Sequence, residues 1–224
     1  MTTPETPDAD APDLRPLTRI RRVVAKRMTQ AAQTIPAVTI HRDAPYAALL
    51  QRRRELAVPP GRGPAIDAML AVVVARALAK HDLLNGSWVE DPPAVRVHPG
   101  RHIAIAVDTS QGLVAVVLRD ADTTPIEDLD RQLGEMVGRA RAGKLSLEDV
   151  ADATFTITNL GGLGVTSFTP MITPPQAAVL GVGAVAADGD RRGTLSLTFD
   201  HRIVDGADAA RFLADVVAGI EQGG

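Results

Sequence analysis

The stretch Asp200-His201-Arg202-Ile203-Val204-Asp205-Gly206 follows directly on the apolar segment Leu195 to Phe199. It predicts a histidine at the mouth of a strand, an aspartate four residues later, and a glycine where a helix begins. A histidine titrates near neutral pH, so it can take a proton from a thiol or a hydroxyl and make that group a nucleophile. We therefore interpret His201 as a general base that meets two substrates.

The same segment also has a purely structural interpretation, in which a buried histidine lies beside a helix-capping aspartate. Asp205 need not touch the imidazole, because an acid at a helix start can be held by an arginine and can fix the shape of the loop. The sequence has no Gly-x-Ser-x-Gly elbow, so it does not favour a serine hydrolase. Its five histidines are scattered and no second ligand lies at metal spacing, so no metal is expected.

Composition limits the functional classes further. The chain has 224 residues, of which 45% are hydrophobic and only 3% aromatic, which argues against nucleic-acid modules that stack bases on aromatic rings. A net charge of −3 predicts neither DNA nor an anionic membrane as a partner. Cysteine is absent, so disulfides and cysteine nucleophiles are excluded. The longest apolar stretch, residues 68–79, is interrupted and too short to span a bilayer. We expect a soluble, cytoplasmic protein.

The chain is expected to form one domain. Residues 1–13 are rich in proline and acid and contain no base, so they predict a disordered tail, and residues 14–224 predict the catalytic domain. Helices are predicted over residues 18–34, 45–57, 64–80, 125–142 and 207–220. Strands are predicted over residues 37–42, 102–108, 113–118, 153–158, 177–186 and 193–199. Central strands with helices at both ends favour an α+β class, a mixed β-sheet flanked by helices. The first helix is basic and amphipathic and is expected to face solvent or another subunit.

Two glycine-rich segments also bear on function. The strand that begins at Thr154 ends in Thr158 and Asn159, and three glycines follow by residue 164. This pattern is typical of a strand and a flexible loop, but the Thr158 hydroxyl could also donate a hydrogen bond to the oxyanion of a tetrahedral intermediate. The pair Gly181 and Gly183 suggests a dinucleotide fingerprint, yet residues 188–190 predict a turn where the crossover helix should begin. A hairpin is the better interpretation.

The order of motifs from residue 17 to about residue 218 resembles the catalytic domain of the dihydrolipoamide acyltransferases of 2-oxoacid dehydrogenase complexes. The chloramphenicol acetyltransferase superfamily shares the wider pattern of a histidine followed by aspartate and glycine. The blocks that carry the resemblance are Ile20 to Met28, Ile35 to Thr39, Ile103 to Thr109 with Gly112-Leu113, Phe155 to Gly161, Phe168 to Pro170, Pro174 to Gly183, and the segment around His201.

The resemblance implies roles for individual residues. His201 would deprotonate the acceptor thiol, Thr158 would stabilise the oxyanion, and Asp205 would be held by an arginine, for which Arg53 is the best candidate. Acetyl-CoA would be the acyl donor, in a fold of the chloramphenicol acetyltransferase type. The residues expected to line the CoA site are Arg53, Asp108, Asn159, Gly183 and Val185. The resemblance also implies a homotrimer with active sites at the subunit boundaries, where His201 works with Thr158 of a neighbour.

Three functions remain open on the sequence. The chain shows neither a lipoyl domain nor the leucine-rich C-terminal tail of family members, the hairpin between Gly183 and Thr194 is short, and Ala115 and Thr173 replace a usual proline and asparagine. These departures favour a standalone O-acetyltransferase that acts on a small-molecule hydroxyl in tetronate-type secondary metabolism, as a discrete homotrimer without a covalently bound lipoyl group. The alternatives are a dihydrolipoamide acyltransferase core subunit served by lipoyl domains in trans, and a non-catalytic structural relative.

Overall fold

The structure, a computed structural model, describes residues 14–57, 61–110, 112–187, 189 and 191–224. The tail predicted over residues 1–13 lies outside these ranges. The helices are α1 (Arg19–Thr34), α2 (Ala47–Glu55), α3 (Ile66–Leu78), α4 (Ile126–Arg141) and α5 (Gly206–Glu221). The strands are β1 (Ala37–Pro45), β2 (Gly86–Val89), β3 (Ala94–Val97), β4 (Ile103–Thr109), β5 (Gly112–Leu118), β6 (Phe155–Asn159), β7 (Ala178–Val185) and β8 (Arg192–Asp200).

Six strands form one mixed sheet in the order β1-β8-β7-β6-β4-β5, and β2 pairs with β3 in a separate hairpin. Strands β4, β6 and β7 run parallel to one another, whereas β8 is antiparallel to both of its neighbours. The carboxyl ends of β4, β6 and β7 therefore meet at one end of the sheet, called here the parallel-strand end. The carboxyl end of β8 lies at the opposite end, called here the β8 end.

The helices cover one face of the sheet, because the strands alternate apolar and polar residues. On β6, Phe155 and Ile157 lie in the hydrophobic core, whereas the Thr156 hydroxyl between them donates to Gln176 Oε1 at 2.6 Å. Helix α3 packs against α4 and α5 and buries ten of its thirteen residues. The mostly apolar sequence of α3 thus forms a helix that is buried over most of its surface, with Arg76 exposed.

The opposite face of the sheet, called here the polar face, carries hydrogen-bonded polar pairs. The hydroxyls of Thr39 and Thr198 lie 2.8 Å apart, and His41 Nδ1 lies 2.9 Å from Ser196 Oγ. Ser196 and Thr198 are fully buried, so these partners offset the cost of removing their hydroxyls from water. The pairs join β1 to β8 independently of the backbone ladder.

Helix α1 is capped but barely enclosed. Thr18 Oγ1 accepts a hydrogen bond from the backbone N–H of Arg21 at 3.2 Å, as an N-cap residue does. Ala31 is buried on this helix, but Val23 remains 50% exposed. An apolar stripe left in solvent agrees with the expectation that α1 faces solvent or another subunit.

The predicted fold class, a mixed sheet flanked by helices, is confirmed. The predicted helices and strands are present, with ends shifted by a few residues. The sequence interpretation missed the β2–β3 hairpin, whose strands have only four residues each. Segments this short carry too few positions to show the alternation of a strand. In the described part of the chain, no helix is long and apolar enough to cross a membrane.

Candidate active site

His201 lies at the β8 end, between the last residue of β8 and the start of α5. Its backbone N–H donates to Pro36 O at 3.1 Å, and its ring lies 5.6 Å from the Phe199 ring, tilted by 48°. The His201 side chain is 43% exposed. Its Nδ1 lies 3.8 Å from Asp205 Oδ1, which is too far for a hydrogen bond. The imidazole is therefore presented to solvent at a place fixed by its backbone.

The other four histidines differ from His201 because each has a ring nitrogen within hydrogen-bond distance of a partner in the chain. The partners are Ser196 for His41 (2.9 Å), Asp215 for His81 (3.0 Å), Ser87 for His98 (2.7 Å) and the Asp120 N–H for His102 (3.1 Å). Such contacts are typical of structural histidines. For His201 the structural interpretation, a buried histidine beside a cap, is therefore not supported by the geometry.

The residues on either side of His201 form a buried ion pair. Asp200 is only 2% exposed, and its carboxylate accepts from Arg202 Nη2 at 2.7 Å and from Arg202 Nε at 3.0 and 3.2 Å. The guanidinium carbon of Arg202 also lies 4.8 Å from the centre of the Trp88 ring. These hydrogen bonds raise the pKa of Arg202 above its usual value. The sequence motif contains Asp200 and Arg202 but predicts no role for either of them, and it does not point to Trp88.

Asp205 is the N-cap residue of α5, and its side chain is 83% exposed and makes no capping hydrogen bond. The predicted ion pair with Arg53 is wrong within one chain, because Arg53 Nε donates to Pro64 O at 2.7 Å. A helix of the length of α5 spans about 24 Å. Gly223, just beyond its C-terminal end, packs against Arg52. Arg53 thus lies near the far end of the helix that Asp205 begins.

Thr158 lies towards the parallel-strand end of β6. Its register partner on β7 is Gly181, and the partner of Gly181 on β8 is Ser196. His201 follows Ser196 by five residues, which corresponds to about 16 Å along the strand, and two strand spacings add about 10 Å across the sheet. The structure therefore places Thr158 and His201 towards opposite ends of the sheet and does not bring them together within one chain.

Asn159 is held next to Thr158 by two hydrogen bonds. Its Nδ2 donates to Asp67 Oδ1 at 2.7 Å, and its Oδ1 accepts from the Gly161 N–H at 2.9 Å. Burial raises the pKa of the Asp67 carboxyl above its ordinary value, and the hydrogen bond from Asn159 opposes part of that rise. The sequence interpretation missed Asp67, although a lone acid in the first turn of an apolar helix is a signal that could have found it.

The buried hydroxyl of Tyr46 adds to the polar groups around Asp67. It has no hydrogen-bond partner in the part of the chain that the structure describes. Burial, and to a smaller degree the charge of Asp67, raise the pKa of the Tyr46 phenol above its usual value. Two groups that resist ionisation thus lie near the start of α3.

A cavity of about 320 Å³ opens at the parallel-strand end between β4, α3 and α4. Asp108 and Asp67 line it, together with the cations Arg62 and Arg141. A larger cavity of about 850 Å³ is lined by His98 and other residues, and contains none of the candidate residues. The smaller cavity therefore adjoins two residues predicted for the CoA site. Asp108 lines it directly, and Asn159 is hydrogen bonded to Asp67, which lines it.

The remaining residues predicted for the CoA site lie in the same region. Gly183 and Val185 are near the carboxyl end of β7, where a Cβ on Gly183 would lie 1.8 Å from the backbone oxygen of Thr166. Gly183 therefore lets the loop after β6 pack directly on β7. Arg53 packs against Gly63, and Ala65, two residues after Gly63, lines the cavity. Among the described residues, no group of three or more potential metal ligands is found.

The chain is similar in sequence and in structure to several known proteins. A dihydrolipoyllysine-residue acetyltransferase component of the pyruvate dehydrogenase complex from Mycobacterium tuberculosis is 33% identical over 223 residues, which cover 92% of this chain and 40% of that protein. The chain thus spans less than half the length of this relative. A probable dihydrolipoamide acetyltransferase from Listeria monocytogenes superposes with a TM-score of 0.87 at 29% identity, over 96% of this chain and 97% of the other.

Two further structures add to the comparison. The dihydrolipoamide acetyltransferase of Azotobacter vinelandii, studied for the catalytic role of a serine, a histidine and an asparagine, has a TM-score of 0.86 at 28% identity, over 97% of each chain. A chloramphenicol acetyltransferase has a TM-score of 0.60 at 14% identity, over 87% of this chain and 94% of the other, which shows the fold alone. Residues 10–223 match the family of the 2-oxoacid dehydrogenases acyltransferase (catalytic domain). The chain belongs to this acyltransferase family.

Proposed function

We propose that this domain transfers an acetyl group between CoA and a dihydrolipoyl thiol, with His201 as the general base. The observation that carries the proposal is the imidazole of His201, which is exposed where the rings of the other four histidines are hydrogen bonded. The Azotobacter vinelandii enzyme supports it, because its catalytic histidine and asparagine are four residues apart, the spacing of His201 and Asp205.

The reaction begins when the neutral imidazole of His201 takes the proton of the acceptor thiol. The thiolate attacks the carbonyl carbon of the acetyl thioester, and the carbonyl oxygen becomes an oxyanion. The Thr158 hydroxyl donates a hydrogen bond to that oxyanion. When the intermediate collapses, the carbon–sulfur bond to the donor breaks, and the departing thiolate takes the proton back from the imidazolium. Asp205 at 3.8 Å attracts the imidazolium only weakly, since its carboxylate is exposed and screened.

The active site is proposed to be shared between two copies of the chain. His201 and Thr158 must both approach one reacting carbonyl, yet they lie towards opposite ends of the same sheet. A head-to-tail ring brings the β8 end of one subunit against the parallel-strand end of the next. From the resemblance to the acyltransferases, we propose that this ring is a homotrimer. The exposed helix α1 offers further surface for such contacts.

CoA is proposed to bind at the parallel-strand end. Arg141 and Arg62 line the cavity there as cations that can hold phosphate groups, with Arg62 Nη1 also 3.6 Å from Asp130 Oδ1. Asp108 lines it as a carboxylate that can accept from a hydroxyl or an amide. Asn159 is oriented by Gly161 and Asp67 beside the proposed oxyanion donor. Arg53, Gly183 and Val185 complete the proposed CoA-site set, with Gly183 acting through the close packing of the loop.

The acyl acceptor proposed here differs from the one that the sequence favours. The sequence departures favour a small-molecule hydroxyl in secondary metabolism, and the comparisons do not support that preference. The relatives from Mycobacterium tuberculosis and Azotobacter vinelandii are named as dihydrolipoyllysine-residue or dihydrolipoamide acetyltransferases, and the one from Listeria monocytogenes as a probable dihydrolipoamide acetyltransferase. We therefore propose the dihydrolipoyl thiol, which the sequence interpretation holds as its alternative.

The test is acetyl transfer from acetyl-CoA to dihydrolipoamide by the purified protein. His201→Ala should lower kcat by about 100-fold or more, the scale of losing a general base. His102→Asn is the matched control, because asparagine can still accept from the Asp120 N–H, and it should keep the activity. A folded His201→Ala protein with full activity would remove His201 from the mechanism. Activity with hydroxyl acceptors and none with dihydrolipoamide would overturn the proposed acceptor.

A further inference from the structure

We infer that Arg202 is a positioning residue for His201, and that Trp88 of the β2–β3 hairpin clamps its guanidinium in place. The inference rests on the proposed function and adds to it, because a general base acts only where its nitrogen meets the thiol. Asp200, Arg202 and Trp88 are called here the clamp. None of the three is proposed to touch a substrate.

The need for a clamp follows from how little holds the His201 ring. Its Nδ1 is beyond hydrogen-bond distance of Asp205, and the neighbouring Phe199 ring makes only a tilted contact at 5.6 Å. A side chain that is 43% exposed gains little from packing. Within one chain, the ring is therefore placed mainly through the backbone that carries it, which runs between Asp200 and Arg202.

Arg202 closes this short stretch of backbone around His201. The Asp200 carboxylate accepts from the Arg202 backbone N–H at 3.0 Å and from both Nε and Nη2 of its side chain. The two residues that flank His201 are thus joined by three donors to one carboxylate. A planar guanidinium fork matches both oxygens at once, which an ammonium cannot do.

The carboxylate itself is fixed to the sheet. The backbone N–H of Asp200 donates to Ala177 O at 2.8 Å, and its carbonyl accepts from the N–H groups of Ile203 and Val204 at 3.0 and 3.1 Å. Its side chain is 2% exposed, so removing the guanidinium would leave a buried charge without its counter-ion. Arg202 is therefore anchored to the sheet through Asp200. The backbone of His201 lies between these two anchored residues.

Trp88 secures the open side of the guanidinium. Arg202 is 27% exposed, and its guanidinium carbon lies 4.8 Å from the Trp88 ring centre, in the range of a cation–π contact. The indole is held in turn, since Nε1 donates to Glu90 Oε2 at 2.7 Å. The β2–β3 hairpin also accepts a hydrogen bond from the Ala177 N–H at Gly86 O (3.0 Å), and it thereby supports the segment that carries the general base.

Kinetics of three variants test the clamp. Arg202→Lys keeps the charge but loses the fork, so kcat should fall by about 10- to 100-fold while KM for acetyl-CoA stays within about threefold, since a displaced base costs turnover rather than donor binding. Trp88→Leu should lower kcat by about 3- to 10-fold, because it removes the cation–π contact, which is weaker than the ion pair between Arg202 and Asp200. Trp88→Phe retains an aromatic face and should recover most of that loss.

Arg211→Lys is the matched control, because Arg211 makes an exposed ion pair with Asp208 on α5 and should keep wild-type kcat. Trp88 is the only tryptophan, so its fluorescence reports the clamp without any turnover. Arg202→Lys should shift this emission, and Arg211→Lys should not. If Arg202→Lys fails to fold, the two Trp88 variants decide the matter alone.

The two proposals fail in different ways. Wild-type protein without acetyl transfer would overturn the proposed function, and the inference with it. Active wild-type protein whose Arg202→Lys and Trp88→Leu variants keep full kcat would overturn the clamp alone. So would a Trp88→Phe variant as slow as Trp88→Leu, because the aromatic face would then play no part.

Discussion

Complementation between two inactive chains tests the shared active site directly. Thr158 and His201 are separated by about 16 Å along the strands and about 10 Å across them. Both must come within about 3 Å of the reacting groups, so one chain cannot supply both to one site. Chains carrying His201→Ala and chains carrying Thr158→Val should therefore be inactive when pure and active when mixed in one oligomer.

The expected gain follows from counting junctions in the ring. In any three-membered ring that contains both variants, one junction of the three pairs an intact His201 with an intact Thr158, so about one third of wild-type kcat should return. Each pure variant should retain about 1% or less, because loss of a general base or of an oxyanion donor costs about 100-fold or more. The expected recovery thus exceeds the background by more than tenfold.

The assay uses co-expressed chains with two different affinity tags, purified over both columns so that every oligomer contains both variants. The control pairs wild-type chains with chains that carry both substitutions. A site built within one chain predicts no recovery in the first mixture and about half of wild-type activity in the control. That pair of results would refute the reasoning from the strand register.

Three further predictions concern stability. The Arg139 guanidinium and the nearby backbone hold the pKa of Asp149 at about 2, so Asp149→Asn should cost about 1–2 kcal/mol of unfolding free energy near pH 7, after allowance for the exposure of Arg139. Because this pKa is lowered, the contribution is full above the unfolded value and is lost as the pH falls through 2, so melting curves of the two proteins should converge in acid. Burial raises the pKa of Asp67 above its ordinary value of 3.8, so ionising this carboxyl costs stability in the folded state. The melting temperature of Asp67→Asn should therefore gain on that of wild type as the pH rises above 3.8, and a difference that does not change with pH would contradict the assignment. Gly183→Ala should cost about 1–3 kcal/mol or more in chemical denaturation, because its Cβ would meet backbone at 1.8 Å, whereas Gly162→Ala, with open space around its Cβ, should be tolerated.

The sequence predicts the elements of this fold well and their mutual orientation poorly. The helices and strands follow from the spacing of apolar residues, and α3 is identified by its nearly unbroken apolar run. The structure does not pair Asp205 with Arg53 within one chain, because such a pair depends on which end of α5 lies against α2, and no local pattern encodes that. The register of β6 against β8, which separates Thr158 from His201, is likewise set by tertiary packing.

In the candidate site too, the sequence predicts some residues and not others. His201 and Thr158 are proposed from residue type and from resemblance, since each carries chemistry that few side chains can supply. Asp67, Arg202 and Trp88 are missed because they act through other residues, and contacts such as the guanidinium on the indole ring join segments more than a hundred positions apart in the chain. Charge alone gives no indication of such a partner.

The polar face has a consequence for the order of folding and association. The hydroxyl pair of Thr39 with Thr198, and the pair of His41 with Ser196, are satisfied inside one chain and need no neighbour. A newly made chain can thus pair these four side chains of β1 and β8 by itself. In the proposed trimer, folding would then precede association, and the encounter between subunits would be a separate, concentration-dependent step. A chain of the proposed trimer would then exist in dilute solution as a folded unit that still lacks the neighbour's part of the site.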